Sequence, residues 1–200
     1  VTESGTTSTF TDGSPSVTES SVVPVPPTLR VETGATPMML RPWTTSSEDV
    51  TVVLAASQES EIRRYSSVGA VRGAGDAREW IASRRSHRRL DWALEDAGAV
   101  IGRVGLNRLD DEDRVAELGY WLLAEHRGSG LVTQAVVEVT QFAFVERGVG
   151  RLEIRHELDN IASCRVAQRC GFVEEGTQRG AMLRGGVRLD LHLHARLVTD

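Results

Sequence analysis

The chain has no basic excess, no long apolar run and only a pair of cysteines, and each shortage excludes something. Its formal net charge is −5 over 200 residues. That argues against a dedicated nucleic-acid binder, whose domain carries clustered basic charge. No apolar run approaches the ~18 residues that cross a bilayer. The first residues lack the basic start and apolar core of a secretory signal. Cys164 and Cys170 lie six apart in a segment with helical patterning, which fits neither a C-x-x-C redox pair nor a zinc spacing. They read as reduced thiols, wholly or partly buried. Tyrosine is scarce as well, with only Tyr65 and Tyr120. A composition of 40% hydrophobic and 26% charged residues leaves one cytoplasmic globular domain as the expectation.

Residues 1–36 are rich in Thr, Ser, Pro and Gly, and "PVPP" at 24–27 favours extended backbone. This stretch reads as a disordered leader ahead of a domain over 37–200. "MMLRPW" (38–43) reads as a first strand and "TSSEDVTVVLAAS" (45–57) as a helix opened by Ser and acidic residues. A second helix is expected over 76–89, with Trp80 and Ile81 inward. The pattern then changes to alternation. "LDWALED" (90–96) puts Leu90, Trp92 and Leu94 on one face, and strands at 99–106 and 115–124 complete an antiparallel meander. A long apolar helix from Gly130 to about Arg147 leads to a strand at 151–157 and a short helix at 160–170. Strand, helix, strand is a βαβ unit, which sets the strands at 115 and 151 parallel. Two final strands flank "RGG" (184–186) as a hairpin. The fold class is α/β, with a mixed sheet of about seven strands.

"EHRGSGLVTQA" (125–135) places Gly128 and Gly130 at the mouth of the long helix. A dinucleotide fingerprint needs a third glycine where Thr133 stands, and a Walker A loop needs Gly-Lys-Ser/Thr, which is absent. Two readings remain: a plain helix-entry turn, or a pyrophosphate cradle of backbone amides at the positive helix end, with Arg127 adding a cation.

Four motifs, "LGYWL", "RGSG", "DNIAS" and "RCGF", follow in order between 118 and 172. In that combination the chain, from roughly Met38 to Leu197, resembles the GNAT superfamily of N-acetyltransferases, and more narrowly its RimJ/RimL branch. The resemblance implies a mostly antiparallel sheet with a splayed parallel pair and helices on both faces. It implies acetyl-CoA as co-substrate; from the residues themselves, no metal is expected. It assigns the pyrophosphate to His126, Arg127, Gly128, Ser129, Gly130 and Leu131. The backbone of Leu122 and Leu123 would meet the pantetheine arm, and one amide there would hold the oxyanion. Asn160 would bond the arm, and Ser163 would lie near the thioester sulfur as proton donor. The same two residues also suit an ordinary helix cap. Two departures stand out. Glu125 occupies a place where the superfamily often has Arg or Gln, and is expected to point away from the phosphates. Ala167 stands where many members have a tyrosine acid, which leaves Ser163, a water, or no acid.

Glu117 is the candidate base, acting through water from a central strand; an ion-paired strand glutamate is the alternative. An α-amine with a pKa near 7.7–8.0 is partly free at neutral pH, whereas a lysine near 10.4 is not. A site with one carboxylate therefore suits the N-terminal α-amine of a protein or peptide. A small amine or peptide antibiotic is the rival acceptor, and a non-catalytic acyl-CoA-binding module is the rival of another class. "RRSHRR" (84–89) reads as a solvated helix face; the resemblance implies that this helix borders the acceptor site, where its charge would instead attract an acidic acceptor. His192 and His194 share a strand face, but no third metal ligand is apparent; His156 reads as a packed or solvated histidine. No nucleic-acid or membrane partner is expected, and a homodimer is possible.

Overall fold

The computed structural model describes residues 23–33 and 37–200. Among these, eight strands form one sheet in the order β1-β2-β3-β4-β5-β6-β8-β7. They are β1 (Leu29–Val31), β2 (Met38–Pro42), β3 (Leu90–Asp96), β4 (Ala99–Asp110), β5 (Val115–Leu122), β6 (Arg151–Glu157), β7 (Val173–Arg184) and β8 (Val187–Leu197). All neighbours pair antiparallel except β5 and β6. The helices are α1 (Ser47–Gln58), α2 (Ser60–Tyr65), α3 (Ala74–Ala82), α4 (Leu131–Val145) and α5 (Ile161–Arg169). None of the described helices is long and apolar enough to cross a membrane.

Local chemistry explains the boundaries. Ser46 caps α1, its hydroxyl accepting from the Asp49 amide at 3.2 Å. Ala97 and Gly98, at φ of 48° and 82°, make the tight β3–β4 turn whose twist matches the strands. Gly185 and Gly186 do the same for β7–β8. The alternation in β3 sends Trp92 and Leu94 into an aliphatic core with Val136, Val139 and Phe142 of α4. The opposite face of the sheet packs against α1–α3 around Trp43, Trp80 and Trp121, whose ring centroids lie 5.7–6.4 Å apart.

Three expectations need correction. The eighth strand is β1, which lies inside the stretch expected to be a leader. It pairs with β2, and the Pro27 carbonyl accepts from Trp92 Nε1 at 2.7 Å; the rest of that expectation, over 1–22, lies outside the described residues. Helix α2 is an addition: only its Ile62 is buried, so it has no apolar stripe to read. The helix expected to reach Arg89 stops at Ala82. Its inward stripe of Ala77, Trp80 and Ile81 is followed one turn on by Arg84, Arg85 and Arg88, which give the helix nothing apolar to bury.

A buried ion pair crosses the middle of the sheet. Asp91 and Arg103 are 2% and 7% exposed. Arg103 Nε donates to Asp91 Oδ1 at 2.8 Å, its second nitrogen reaches Oδ2, and Trp43 Nε1 also donates to Oδ1 at 3.2 Å. Gly105 and Gly119, paired across β4 and β5, make room for it. A Cβ on Gly105 would sit 2.7 Å from Asp91 Oδ2, and one on Gly119 3.4 Å from an Arg103 nitrogen. Glycine in mid-strand here marks a close approach.

Candidate functional site

The parallel pairing of β5 with β6 covers only Val115↔Arg151, Ala116↔Leu152 and Glu117↔Glu153. Beyond it the strands part, while β5 stays paired with β4 as far as Leu122. A cleft of about 140 Å³ opens there, lined by β5 from Glu117 to Tyr120, by β6 from Ile154 to Glu157, and by Asn160 and Ser163 of the α5 entry. The Leu123 amide donates to the Ile101 carbonyl at 3.0 Å, which makes it unavailable. Antiparallel alternation turns the Leu122 N–H to the opposite edge, toward the gap. Of the two leucines expected to offer an amide, the geometry leaves Leu122.

The glycine loop follows directly. Gly128 and Gly130 take φ of 79° and 83°, the left-handed region that glycine enters freely. A Cβ on either would meet nothing within 4 Å, so conformation rather than crowding by the protein calls for glycine. Gly130 is the N-cap of α4, and no side chain caps that helix, which leaves first-turn amides for an anion. Ser129 Oγ donates to the His126 carbonyl at 2.7 Å and tightens the turn. His126 is half-buried, its Nε2 4.0 Å from the exposed Glu125 carboxylate. Arg127 differs from the expectation. Its guanidinium donates to the Leu122 carbonyl at 3.0 Å and to Glu61 at 2.6 Å, and it also pairs with Glu59. Carboxylates on α2 and just ahead of it hold this cation, which was expected to add charge to the cradle. The acidic pair sits 66 and 68 residues away in sequence, so the local motif gave no sign of it.

On the far wall, Asn160 caps α5, its Oδ1 accepting from the Ser163 amide at 3.1 Å. The Ser163 hydroxyl lies 2.9 Å from the Tyr120 hydroxyl, which also reaches the Ser163 carbonyl at 3.2 Å. Burial pushes the Tyr120 hydroxyl well above its ordinary pKa, so it stays protonated. Tyr120 is a site residue that reasoning along the α5 helix misses, because it arrives from β5. The alternation that places Leu118, Tyr120 and Leu122 on one face was the available signal.

Glu117 sits at the end of the paired segment. Arg155 donates to its Oε2 through two nitrogens, one at 3.1 Å, and Arg108 Nε lies 3.5 Å from the same oxygen. The ion-paired alternative thus describes its surroundings, with all three contacts on one oxygen. At the rim, Tyr65 donates to Asp159 at 3.3 Å, and Arg184 pairs with the buried Glu157. The basic run is not a uniform solvated face. Arg84 is 9% exposed and stacks 4.5 Å from the Trp80 ring, and burial pushes its pKa down to about 10. Arg85 donates to the Trp43 carbonyl at 2.9 Å.

Behind Ser163 lies a second cluster. His156 faces His192 across β6–β8, His194 lies one pleat along, and Cys164 descends from α5. One potential ligand atom from each falls within 4.8 Å of all the others. The two ligands not apparent in sequence thus come from the strand register and the helix overhead. Both cysteines are free, Cys170 being buried and Cys164 half-buried.

Residues 38–173 match the family described as the acetyltransferase (GNAT) domain, and the chain belongs to that family. Over 99 residues it is 32% identical to the ribosomal-protein-serine acetyltransferase of Escherichia coli (strain K12), a match taking in 50% of this chain and 55% of that protein. The chain thus spans little more than half the length of that curated relative. Among solved structures it is similar to RimL, a ribosomal L7/L12 alpha-N-protein acetyltransferase in complex with coenzyme A. The TM-score is 0.75 at 19% identity, covering 84% of this chain and 98% of that one. It is also similar to the microcin C7 self-immunity acetyltransferase MccE in complex with acetyl-CoA and AMP, with a TM-score of 0.73 at 24% identity, covering 82% and 94%. At these identities the structural likeness bears on the fold: a mixed, mostly antiparallel sheet with one parallel pair and flanking helices.

Proposed function

We propose that this chain transfers the acetyl group of acetyl-CoA to a primary amine by direct attack in a ternary complex, and that the preferred acceptor is the N-terminal α-amine of a protein or peptide. The observation that carries the reading is the parting of β5 and β6 between the uncapped α4 entry and the Tyr120–Ser163 pair. The amides of the 126–131 loop and first helical turn suit the pyrophosphate. The exposed edge of β5 suits the pantetheine arm, with Asn160 opposite.

In the reaction the amine lone pair attacks the thioester carbonyl and the C–O π electrons move to oxygen. The Leu122 N–H is the donor for that oxyanion. Collapse breaks the C–S bond. Ser163 Oγ–H protonates the departing sulfur, directly or through water, while Tyr120, protonated and fixed, positions the serine hydroxyl. The proton lost by the amine passes through water to Glu117 or to solvent. Because an α-amine is already partly free at neutral pH, an ion-paired carboxylate suffices.

The test is an acceptor scan that follows thiol release and locates acetyl by mass spectrometry. It uses peptides with free or blocked N-termini and internal lysines, together with aminoglycosides and polyamines. Acetyl on free N-termini alone is the expected result. Acetyl on small amines alone moves the assignment to that rival. Acetyl-CoA binding without turnover on any acceptor leaves the module reading in place. All 23 basic residues of the chain are arginine, so acetyl recovered on the enzyme itself cannot lie on a lysine.

A further inference from the structure

We propose that His156, Cys164, His192 and His194 form a zinc site at the back of the cleft. Their ligand atoms lie mutually within 4.8 Å. A tetrahedral ion with bonds of roughly 2.0–2.3 Å draws its ligands to about 3.3–3.8 Å apart, a closure that side-chain rotation supplies. The nitrogens are also waiting. His156 Nε2, His192 Nδ1 and the nitrogens of His194 are buried without a well-formed hydrogen bond, His194 having only a loose backbone contact at Phe172, an unusual concentration of unmet polar atoms.

Each ring is set for the role. His156 Nδ1 lies 2.8 Å from the Glu157 carbonyl. Only the N–H tautomer makes that contact, which leaves the lone pair on Nε2, the atom facing the cluster. A carbonyl holding the outer nitrogen is the usual support for a metal-binding histidine. His192 places Nε2 4.0 Å from the Glu174 carboxylate and turns Nδ1 inward.

The donor set selects the ion. Three imidazoles and one thiolate suit zinc, whereas magnesium and calcium require oxygen ligands, and this set has none. On binding, Cys164 gives up its thiol proton to solvent, and the site's net charge of +1 is offset by Glu174. Entry runs through the cleft that His156 lines. An ion here ties the first turn of α5 to β6 and β8, one residue from Ser163.

The experiment titrates metal-stripped full-length protein with Co²⁺ and then Zn²⁺. One ion per chain is expected, with the intense visible absorption of tetrahedral cobalt and a thiolate charge-transfer band in the near ultraviolet, both erased by zinc. Cys164→Ser should remove the charge-transfer band, and Cys170→Ser should keep it. His192→Gln should weaken binding by roughly 100-fold or more, beyond the loss typical of outer supporting groups. A measurement without substitution runs alongside: Zn²⁺ should slow alkylation of Cys164 in the native chain, mapped by peptide mass. No stoichiometric binding, a band that survives Cys164→Ser, or alkylation of Cys164 indifferent to zinc would each overturn the site.

Discussion

Two buried polar clusters lie on the same sheet and differ in one respect. Around Asp91 and Arg103 the buried groups meet. The carboxylate takes both guanidinium nitrogens and an indole N–H, and Arg103 reaches Asn107 Oδ1 at 3.3 Å as well. Around His156, His192 and His194, four buried nitrogens lack a well-formed hydrogen bond. A saturated cluster can only hold the sheet together; one with open valences is built for something that is not protein.

The largest effect should come from breaking the saturated cluster. Asp91→Ala leaves a buried guanidinium unpaired and should cost about 3–5 kcal/mol, read as a lowered urea midpoint with unchanged slope. Next comes the cleft. Ser163→Ala should lower kcat about 100-fold, the lower end of the general-acid range of ~10²–10⁴, because a thiolate leaves readily. Tyr120→Phe and Glu117→Gln should give smaller drops in kcat with the KM for acetyl-CoA held. An unchanged kcat in either removes that residue from the mechanism.

A third effect depends on pH. Burial opposes ionisation of Asp49, yet hydrogen bonds from Arg41 and Thr44 outweigh it and hold the carboxyl below the ordinary carboxylate range. That stabilisation is therefore complete above about pH 4 and fades as acid carries the pH down through the depressed value. Asp49→Asn should lose about 1.5–3 kcal/mol at neutral pH and flatten the acid limb of a stability–pH profile. The smallest effect should come from the open cluster. His194→Leu removes a buried imidazole that makes no well-formed hydrogen bond and should shift metal-free stability by no more than ~1 kcal/mol. A loss as large as that of Asp91→Ala would mean that the two clusters are alike.

Much of this fold is readable from pattern, for reasons specific to each element. Strand β3 alternates in sequence although its first five residues are buried, because the face toward the tryptophan cluster carries Asp91, matched by Arg103, beside the small Ala93. Gly130 and Gly148 bracket the helix of the βαβ unit. Strand β1 escapes because its three residues are too few for a period, and α2 because it buries a single side chain. The site divides in the same way. Backbone roles travel with local motifs, so the glycine loop and the α5 cap are visible at once. Side-chain partnerships made across strands are not. Tyr120 meets Ser163 across 43 residues, and His156 meets His192 through a register that no single strand discloses. Arg127 is the instructive case, since its neighbours in sequence suggest a phosphate ligand and its neighbours in space are two carboxylates.

That clasp has a consequence for how the cradle discriminates. With the Arg127 guanidinium paired to Glu59 and Glu61, the loop of the proposed function would meet a nucleotide with oriented amide dipoles instead of a free cation. Dipoles act over a few ångströms and reward placement, whereas a bare charge draws anions of any shape from a Debye length away. On the proposed function, affinity at this loop should depend more on fit than on ionic strength.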